Sequence, residues 1–376
     1  MRSPMPVRLH VLVYVFHVLK VARGETLKLD VEYGHMPTYG FGLFHTLVDP
    51  NGQKLHALVD TGSGPFFLIW KNWLEKASGR PCSDWPMGCY KCSEPCSVGK
   101  PTTTITFGDG YTVNIFQHKA KLTVGQVSPI LTFGLIFNQN PPVSEAPPTN
   151  SMGLGYDKGD VNFPSLMTQL LSSKTVTMGI FALYLYPPAD PSEQTLDGGL
   201  LLGGGDPALY VGGLKYVDFS TDKRYMVNLD KLQVGDGHLT LNINMNLHLD
   251  TGANFLFVPQ LYYDDLIKDI KTQTDEAAGM HVDFKFDPGK KIWFFPCQHM
   301  SKLPLLRFGL GPKGITPFTM TYMNYARNKS NDCSLVIWEG QGNIWTLFDR
   351  MLIGNYFEFD PTYKRVGIGK LKSRSL

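Results

Sequence analysis

The chain has 376 residues, of which 43% are apolar and 18% are charged. This length predicts two ordinary domains or one large one, and the apolar fraction can fill a hydrophobic core, which excludes a disordered protein. Setting aside the first 24 residues changes the formal charge from +2 to −2, with 31 basic against 33 acidic residues, so no basic domain remains and nucleic acid is not an expected partner.

The first 24 residues have the pattern of a secretory signal peptide. Arg2 and Arg8 precede an apolar run at residues 9–19, and the small residues Ala22 and Gly24 stand at plausible cleavage positions. The run is much shorter than the roughly 20 residues that span a bilayer. We therefore expect entry into the secretory pathway without stable membrane insertion, with a single-span anchor as the alternative.

The first motif that bears on chemistry is Asp60-Thr61-Gly62, followed by Ser63. It stands between the apolar runs 58–59 and 66–69, so the pattern is a strand, a polar turn and a second strand. A single Asp-Thr-Gly is weak evidence, because a chain of this size can contain one by accident.

Six cysteines follow the predicted signal peptide: Cys82, Cys89, Cys92, Cys96, Cys297 and Cys333. An even number of cysteines in a secreted chain favours disulfides. The first four could alternatively bind zinc, but the oxidising compartment favours disulfides, and their three pairings remain open. The last two are left to pair with each other. We expect no metal and no cofactor.

The central part of the first half predicts strands and turns with one short helix. Residues 102–110 read as a strand that enters a Gly108-Asp109-Gly110 turn, and residues 111–124 as the returning strand of a hairpin. A short helix is expected at residues 164–172. Residues 198–206 hold five glycines and three leucines, typical of a strand that closes on a tight turn. We place a domain boundary at about residue 210, within the segment 209–216.

A second Asp-Thr-Gly, Asp250-Thr251-Gly252, occurs 190 residues after the first and is again flanked by apolar runs. Two such copies at the spacing of one lobe predict two lobes of related build, at residues 25–210 and 211–376. The other predicted helix follows at residues 259–270. Asn328-Lys329-Ser330 is a glycosylation sequon, expected on a surface loop.

Two Asp-Thr-Gly copies can assemble an acid–base pair. Glycine permits a sharp turn and lets backbone N–H groups approach the carboxylate, and threonine can tie two loops together through its hydroxyl. Two carboxyl groups about 3 Å apart share one proton, because both charges cannot persist. The ionised partner can then take a proton from water while the protonated partner binds a carbonyl oxygen.

On these residues the chain resembles the pepsin-like aspartic peptidases, over residues 39–370. The glycine-rich segment 199–206, the C-terminal segment 345–369, and Cys297 with Cys333 are also similar to the family. The resemblance implies a mostly β, bilobal fold with a cleft and a monomeric, secreted or lysosomal endopeptidase acting on peptide or protein substrates. It further implies that Asp60 and Asp250 form the catalytic pair.

The resemblance also assigns supporting roles. Thr61 and Thr251 would bridge the catalytic loops, Ser63 would hydrogen-bond Asp60, and the hairpin tip at residues 107–110 would be a flap over the substrate. Two positions of the family pattern are changed together: Phe107 stands where the flap usually has Tyr, and Phe67 where a Trp bonds that Tyr. Because both partners of that hydrogen bond are replaced by Phe, its loss leaves no polar group unpaired. Trp70 lies close enough in sequence to take that place after a local shift.

Three further departures concern the second half and the activation of the enzyme. Ala253 and Asn254 stand where Ser or Thr commonly follows, which removes a donor to Asp250. Phe348 replaces a glycine beneath the Asp250 loop. Only residues 25–59 separate the predicted cleavage site from Asp60, so we expect no prosegment. These departures motivate an alternative, a non-catalytic homologue that binds peptides or a protein partner in its cleft.

Overall fold

A computed structural model describes residues 26–94, 96–156, 159–160, 162–190, 193–236, 239–329, 332–340 and 342–374. The predicted signal peptide, residues 1–24, lies outside the described residues. Strands account for 46% of the structure and helices for 17%, so the mostly β fold predicted from the sequence is confirmed.

The first half of the chain is built from strands separated by Gly- and Pro-containing turns, as its composition predicts. Its strands are β1 Leu27–Met36, β2 Gly40–Val48, β3 Lys54–Asp60, β4 Phe66–Ile69, β5 Thr102–Thr106, β6 Thr112–Lys121, β7 Ile130–Asn140, β8 Ser151–Gly153, β9 Phe181–Leu185 and β10 Leu196–Leu202. Its helices are α1 Lys71–Ser78 and α2 Leu166–Ser172.

The second half is likewise built mostly from strands, with few helices. Its strands are β11 Tyr210–Asp218, β12 Met226–Val234, β13 Leu239–Leu249, β14 Leu256–Pro259, β15 Lys285–Asp287, β16 Ile292–Pro296, β17 Leu306–Leu310, β18 Thr316–Met320, β19 Ala326–Lys329, β20 Asp332–Leu335, β21 Ile337–Gly340, β22 Trp345–Leu347, β23 Asn355–Asp360 and β24 Arg365–Leu371. Its helices are α3 Gln260–Ala278 and α4 Tyr322–Tyr325. The predicted boundary at residue 210 coincides with the start of β11 and stays a prediction.

The helices differ from those predicted in three respects, of which the first is that the single turn of α4 was not predicted. Helix α1 was not predicted, because it begins directly after the apolar run of β4 and its first residue follows Trp70, which offers no side-chain cap. Helix α3 was predicted to end at residue 270 but continues to Ala278, where Gly279 closes it in a left-handed conformation at φ +67°. Glycine at this position is the usual helix stop.

The described strands form three sheets. The largest has 13 strands in the order β11-β24-β23-β9-β10-β1-β2-β3-β8-β4-β7-β6-β5, the next has seven in the order β18-β17-β12-β13-β22-β14-β21, and the last has four in the order β15-β16-β20-β19. In the largest sheet β23 pairs with β9, so strands of both halves of the chain form one continuous sheet.

The two halves repeat one arrangement of four strands. In the first half β3 runs parallel to β8, β8 antiparallel to β4, and β4 parallel to β7. In the second half β13 runs parallel to β22, β22 antiparallel to β14, and β14 parallel to β21. Each Asp-Thr-Gly lies between the first and third strand of its set, so the sequence repeat is a repeat of structure. The predicted bilobal fold is confirmed.

The main hydrophobic core joins the two halves. It contains residues next to both motifs, including Val59 and Leu249, which are fully buried. Burial of these neighbours fixes the ends of β3 and β13 and therefore the positions of the two turns that follow. Within the described residues no helix is long and apolar enough to cross a membrane.

Candidate active site

The two Asp-Thr-Gly turns meet and are joined by their threonines. The Thr61 hydroxyl accepts the Thr251 N–H at 3.0 Å and donates to the Leu249 carbonyl at 2.8 Å. The Thr251 hydroxyl accepts the Thr61 N–H at 3.0 Å and donates to the Val59 carbonyl at 2.6 Å. Both threonines are buried, so these four bonds lie away from water and tie the two turns together.

Each glycine of the pair of motifs lies against the carboxylate of the other motif. A Cβ atom on Gly62 would be 2.3 Å from Asp250 Oδ1, and one on Gly252 would be 2.5 Å from Asp60 Oδ1. Any side chain at either position would collide with the opposite aspartate. The glycines therefore allow Asp60 and Asp250 to face each other at close range.

The two aspartates differ in their surroundings. Asp60 is 4% exposed, and its Oδ1 accepts the N–H groups of Gly62 at 2.8 Å and Ser63 at 3.1 Å. The Asp250 side chain is 22% exposed, and its Oδ1 accepts the N–H of Gly252 at 2.9 Å. The N–H of Ala253 bonds instead to the Asp250 main-chain carbonyl at 3.2 Å.

Burial and mutual repulsion favour a proton on this pair. The pKa of Asp60 is raised well above its ordinary value, first by burial and then by the charge of Asp250, although the N–H groups of Gly62 and Ser63 act to lower it. A carboxyl group in this setting keeps its proton at a pH where an exposed one has lost it. The pair can therefore hold one proton and one negative charge together.

Three further ionisable residues border the pair, and sequence reasoning did not identify them. His248 is 6% exposed, and its Nδ1 lies 3.5 Å from Asp250 Oδ2. Asp349 is buried, which raises its pKa to about 7, and the charge of Asp250 acts in the same direction. The pKa of Tyr39 is raised by burial and then by the charge of Asp60.

The sequence contains a signal for only some of these neighbours. His248 could have been found, because it stands two residues before Asp250 on a strand and such residues share one face. Asp349 follows Phe348, in a segment already compared with the first half. Tyr39 lies in the turn between β1 and β2, and its approach to the pair depends on long-range strand pairing.

The predicted hairpin is present as β5 and β6, with its tip at residues 107–110. The Phe107 ring packs against Phe67 with ring centroids 6.3 Å apart, and against Tyr111 at 5.5 Å. Gly108, Asp109 and Gly110 are exposed. Trp70 packs against Phe116 at 5.1 Å, so Phe67 and not Trp70 faces the hairpin tip.

Phe348, which stands where the first half has Gly153, is buried in the main core. A Cβ atom on Gly153 would lie 2.4 Å from the Pro65 carbonyl oxygen, so the first half requires glycine there. In the second half the Phe348 backbone is extended, with φ −114° and ψ −179°, and its side chain packs with the core. The two halves are therefore equivalent in strand order but not in packing beneath the turns.

The cysteines form three disulfides, Cys82–Cys89, Cys92–Cys96 and Cys297–Cys333. Cys92 and Cys96 lie beside His118, a grouping that could hold a metal ion only as free thiols. The first two disulfides use all four sulfurs that the alternative zinc site would need as free thiolates. Asn328, the predicted glycosylation residue, lies on strand β19 and not on a surface loop as expected, and its main-chain carbonyl accepts the Gln194 amide at 3.2 Å.

Comparison with known proteins identifies relatives of this chain. A family model described as eukaryotic aspartyl protease matches residues 47–371. Cathepsin D of Rattus norvegicus is 27% identical over 227 residues, 58% of this chain and 52% of the relative. Pepsin A of Gallus gallus is 24% identical over 208 residues (54% and 50%), and pepsin B of Canis lupus familiaris is 24% identical over 343 residues (89% and 81%). The matched part is about half the length of cathepsin D and pepsin A.

Proposed function

The chain belongs to the eukaryotic aspartyl protease family, and we propose that it is an aspartic endopeptidase whose catalytic pair is Asp60 and Asp250. The observation that carries this proposal is the close opposition of the two carboxylates, each against the glycine of the other motif. A non-catalytic binding protein would not require glycine at positions 62 and 252 to let two carboxylates approach each other.

The chemistry follows from one proton shared by the pair. Asp60 is the more buried partner, and burial raises its pKa well above the ordinary value, so it holds the proton and Asp250 is the carboxylate. Asp250 takes a proton from the attacking water, whose oxygen bonds to the peptide carbonyl carbon, while Asp60 donates its proton to the carbonyl oxygen. Asp250 then gives its proton to the peptide nitrogen, the C–N bond breaks, and one hydroxyl of the intermediate returns its proton to Asp60, which regenerates the pair.

The hairpin of β5 and β6 acts as the flap that covers the substrate. Its tip carries the apolar ring of Phe107, supported by the buried ring of Phe67. Such a cover excludes water other than the attacking molecule and strengthens electrostatic interactions in the site. We expect a peptide or protein substrate, bound extended, with apolar side chains on both sides of the cut.

The setting of this activity is the secretory pathway. The three disulfides fit an oxidising compartment, and the signal peptide predicted at residues 1–24 supports export. We propose a secreted or lysosomal monomer that is glycosylated at Asn328.

The role of the pair is tested by Asp60→Asn and Asp250→Asn, which preserve shape and remove the acid. Each should lower kcat by at least about a thousandfold, because Asp60→Asn removes the general acid and Asp250→Asn removes the general base. Rates of peptide hydrolysis at matched concentrations of folded protein measure the effect.

Asp49→Asn is the matched control. Asp49 has the same 4% exposure as Asp60 and accepts two backbone N–H groups, from Asn51 at 2.8 Å and Gln53 at 2.9 Å, but lies in a distant turn. It should retain wild-type kcat. Near-full activity in either site variant would overturn the assignment of the pair.

A further inference from the structure

A buried histidine stands beside one of the two aspartates and has no part in the mechanism above. His248 lies on β13 two residues before Asp250, on the same face of the strand. Its Nδ1 is 3.5 Å from Asp250 Oδ2, within ion-pair distance, and its Nε2 has no partner among the described residues. Burial of an ionisable group without full pairing costs free energy.

The fold does not require histidine at this position. The equivalent residue of the first half, two before Asp60, is Leu58. Leu58 and His248 are each 6% exposed. An apolar side chain therefore fills the same place in the repeat, and packing alone gives no reason for an imidazole beside Asp250.

The two aspartates also receive different support. Asp60 accepts two backbone N–H groups on Oδ1, whereas the Oδ1 of Asp250 accepts one, from Gly252. The second carboxylate oxygen of Asp250 is the one that faces His248. The imidazole thus stands where a further donor would stabilise the charge of Asp250.

Few other charges act on His248. In the sheet it lies between Met226 of β12 and Thr346 of β22, neither of which titrates in water. Burial lowers the pKa of His248, the charge of Asp250 raises it, and the positive charge of Arg224 lowers it. The imidazole is therefore neutral near pH 7 and gains its proton on the acid side.

We propose that His248 is a third ionisable member of the site, a positioning residue whose protonated imidazole holds Asp250 in its ionised form. This inference rests on the proposed function. As the pH falls, His248 binds a proton, and its positive charge opposes protonation of Asp250. The pair then keeps one carboxylate, and hence its general base, to a lower pH than two aspartates alone would allow.

The first test is the pH profile of kcat for His248→Gln and His248→Leu, the latter matching Leu58 of the first half. The acid limb should move to higher pH by about one unit, because an opposite charge within about 4–6 Å shifts a carboxyl pKa by that order. A merely structural role would lower kcat at every pH and leave the limb in place, which would overturn the proposal.

His45→Gln is the matched control. His45 is also 6% exposed with an unpartnered Nε2, but its Nδ1 bonds to the Asp30 carbonyl at 2.8 Å on strands β2 and β1. Its substitution should leave the acid limb unchanged. A shift as large as that of the His248 variants would show a general effect of losing a buried histidine and would overturn the proposal.

A second test does not depend on peptide cleavage. The His248 imidazole, assigned in NMR spectra by its absence from His248→Gln, should titrate at lower pH in Asp250→Asn than in wild type, because the neighbouring charge is gone. Asp60→Asn should change it less. An unchanged titration in Asp250→Asn overturns the inference even if the enzyme is active. If wild type cleaves no peptide, the proposed function fails and this titration still decides the role of His248.

Discussion

Asp60 and Asp250 occupy equivalent turns but are not equivalent acids. Asp60 is more buried and accepts two backbone N–H groups, whereas Asp250 is more exposed and borders His248. Asp349 is a third carboxyl nearby, whose pKa burial raises to about 7 and the charge of Asp250 also raises. These differences support the proposed division of roles, with the shared proton on Asp60 and the negative charge on Asp250.

The threonine bridge makes the position of both aspartates depend on two hydroxyl groups. Thr61→Val keeps the shape of the side chain but leaves the Thr251 N–H and the Leu249 carbonyl without their buried partner. We expect a loss of about 2–4 kcal/mol in the free energy of unfolding, because buried groups left unpaired cost their full desolvation. Denaturant unfolding measures it.

Two substitutions serve as controls for Thr61→Val. Thr61→Ser retains the hydroxyl and should lose much less stability. Thr274→Val removes a buried hydroxyl that donates only to Ile270 of the same helix, at 2.6 Å, and should cost about 1 kcal/mol. If Thr61→Val proved as stable as Thr61→Ser, the bridge would not hold the turns together.

Sequence reasoning at the level of single residues succeeded where a motif repeats. The contacts among Thr61, Thr251, Gly62 and Gly252 could be anticipated because two copies of one motif predict a symmetric meeting. Tyr39 could not be found this way, since it lies in the turn between β1 and β2 and comes near Asp60 through the pairing of β2 with β3. The loss of a donor expected from Ala253 is accompanied by a neighbour, His248, which the two-residue alternation of a strand could have indicated.

At the level of elements, the hairpin of β5 and β6 combines a polar, exposed tip with an apolar support. Phe107 rests on Phe67, and both ends of a hydrogen bond expected from the family are apolar together. Packing therefore replaces that bond. The flap retains a buried anchor, because Phe67 is almost fully enclosed.

This packing predicts the effect of changing Phe107. Phe107→Tyr adds a hydroxyl that finds no partner at Phe67, so kcat should stay within about twofold of wild type, whereas Phe107→Ala should lower kcat/KM about tenfold by removing the apolar cover. Tyr111→Phe, which loses only the bond to Gln139 Oε1 at 2.9 Å, is the control. A large gain in kcat for Phe107→Tyr would show that the missing hydroxyl, and not packing, limits the flap.

Elements were predictable where turn residues separate them and less so where they adjoin. The hairpin was predicted from its Gly-Asp-Gly turn, and α2 lies within the predicted helix. Helix α1 was missed because no capping residue separates it from β4. The sequence predicted helix α3 only as far as residue 270, although the helix ends at Gly279.

For the whole molecule, the repeat in the sequence corresponds to two sets of four strands with the same order and directions. One 13-stranded sheet and one hydrophobic core join the two halves, so the opposed turns are held by the fold as a unit. The lobed architecture could be predicted from the repeat. The pairing of the first four cysteines could not, because it depends on the path of the loop that carries them.

The most direct measurement is hydrolysis of quenched fluorescent peptides with apolar residues at the cut, from about pH 3 to about pH 7, with and without pepstatin. The protein is expressed in a secretory host and its folding is verified. We expect cleavage on the acid side that pepstatin abolishes, since a pair holding one proton is then present. A folded protein that cleaves none of these peptides at any pH in this range would contradict the proposed function.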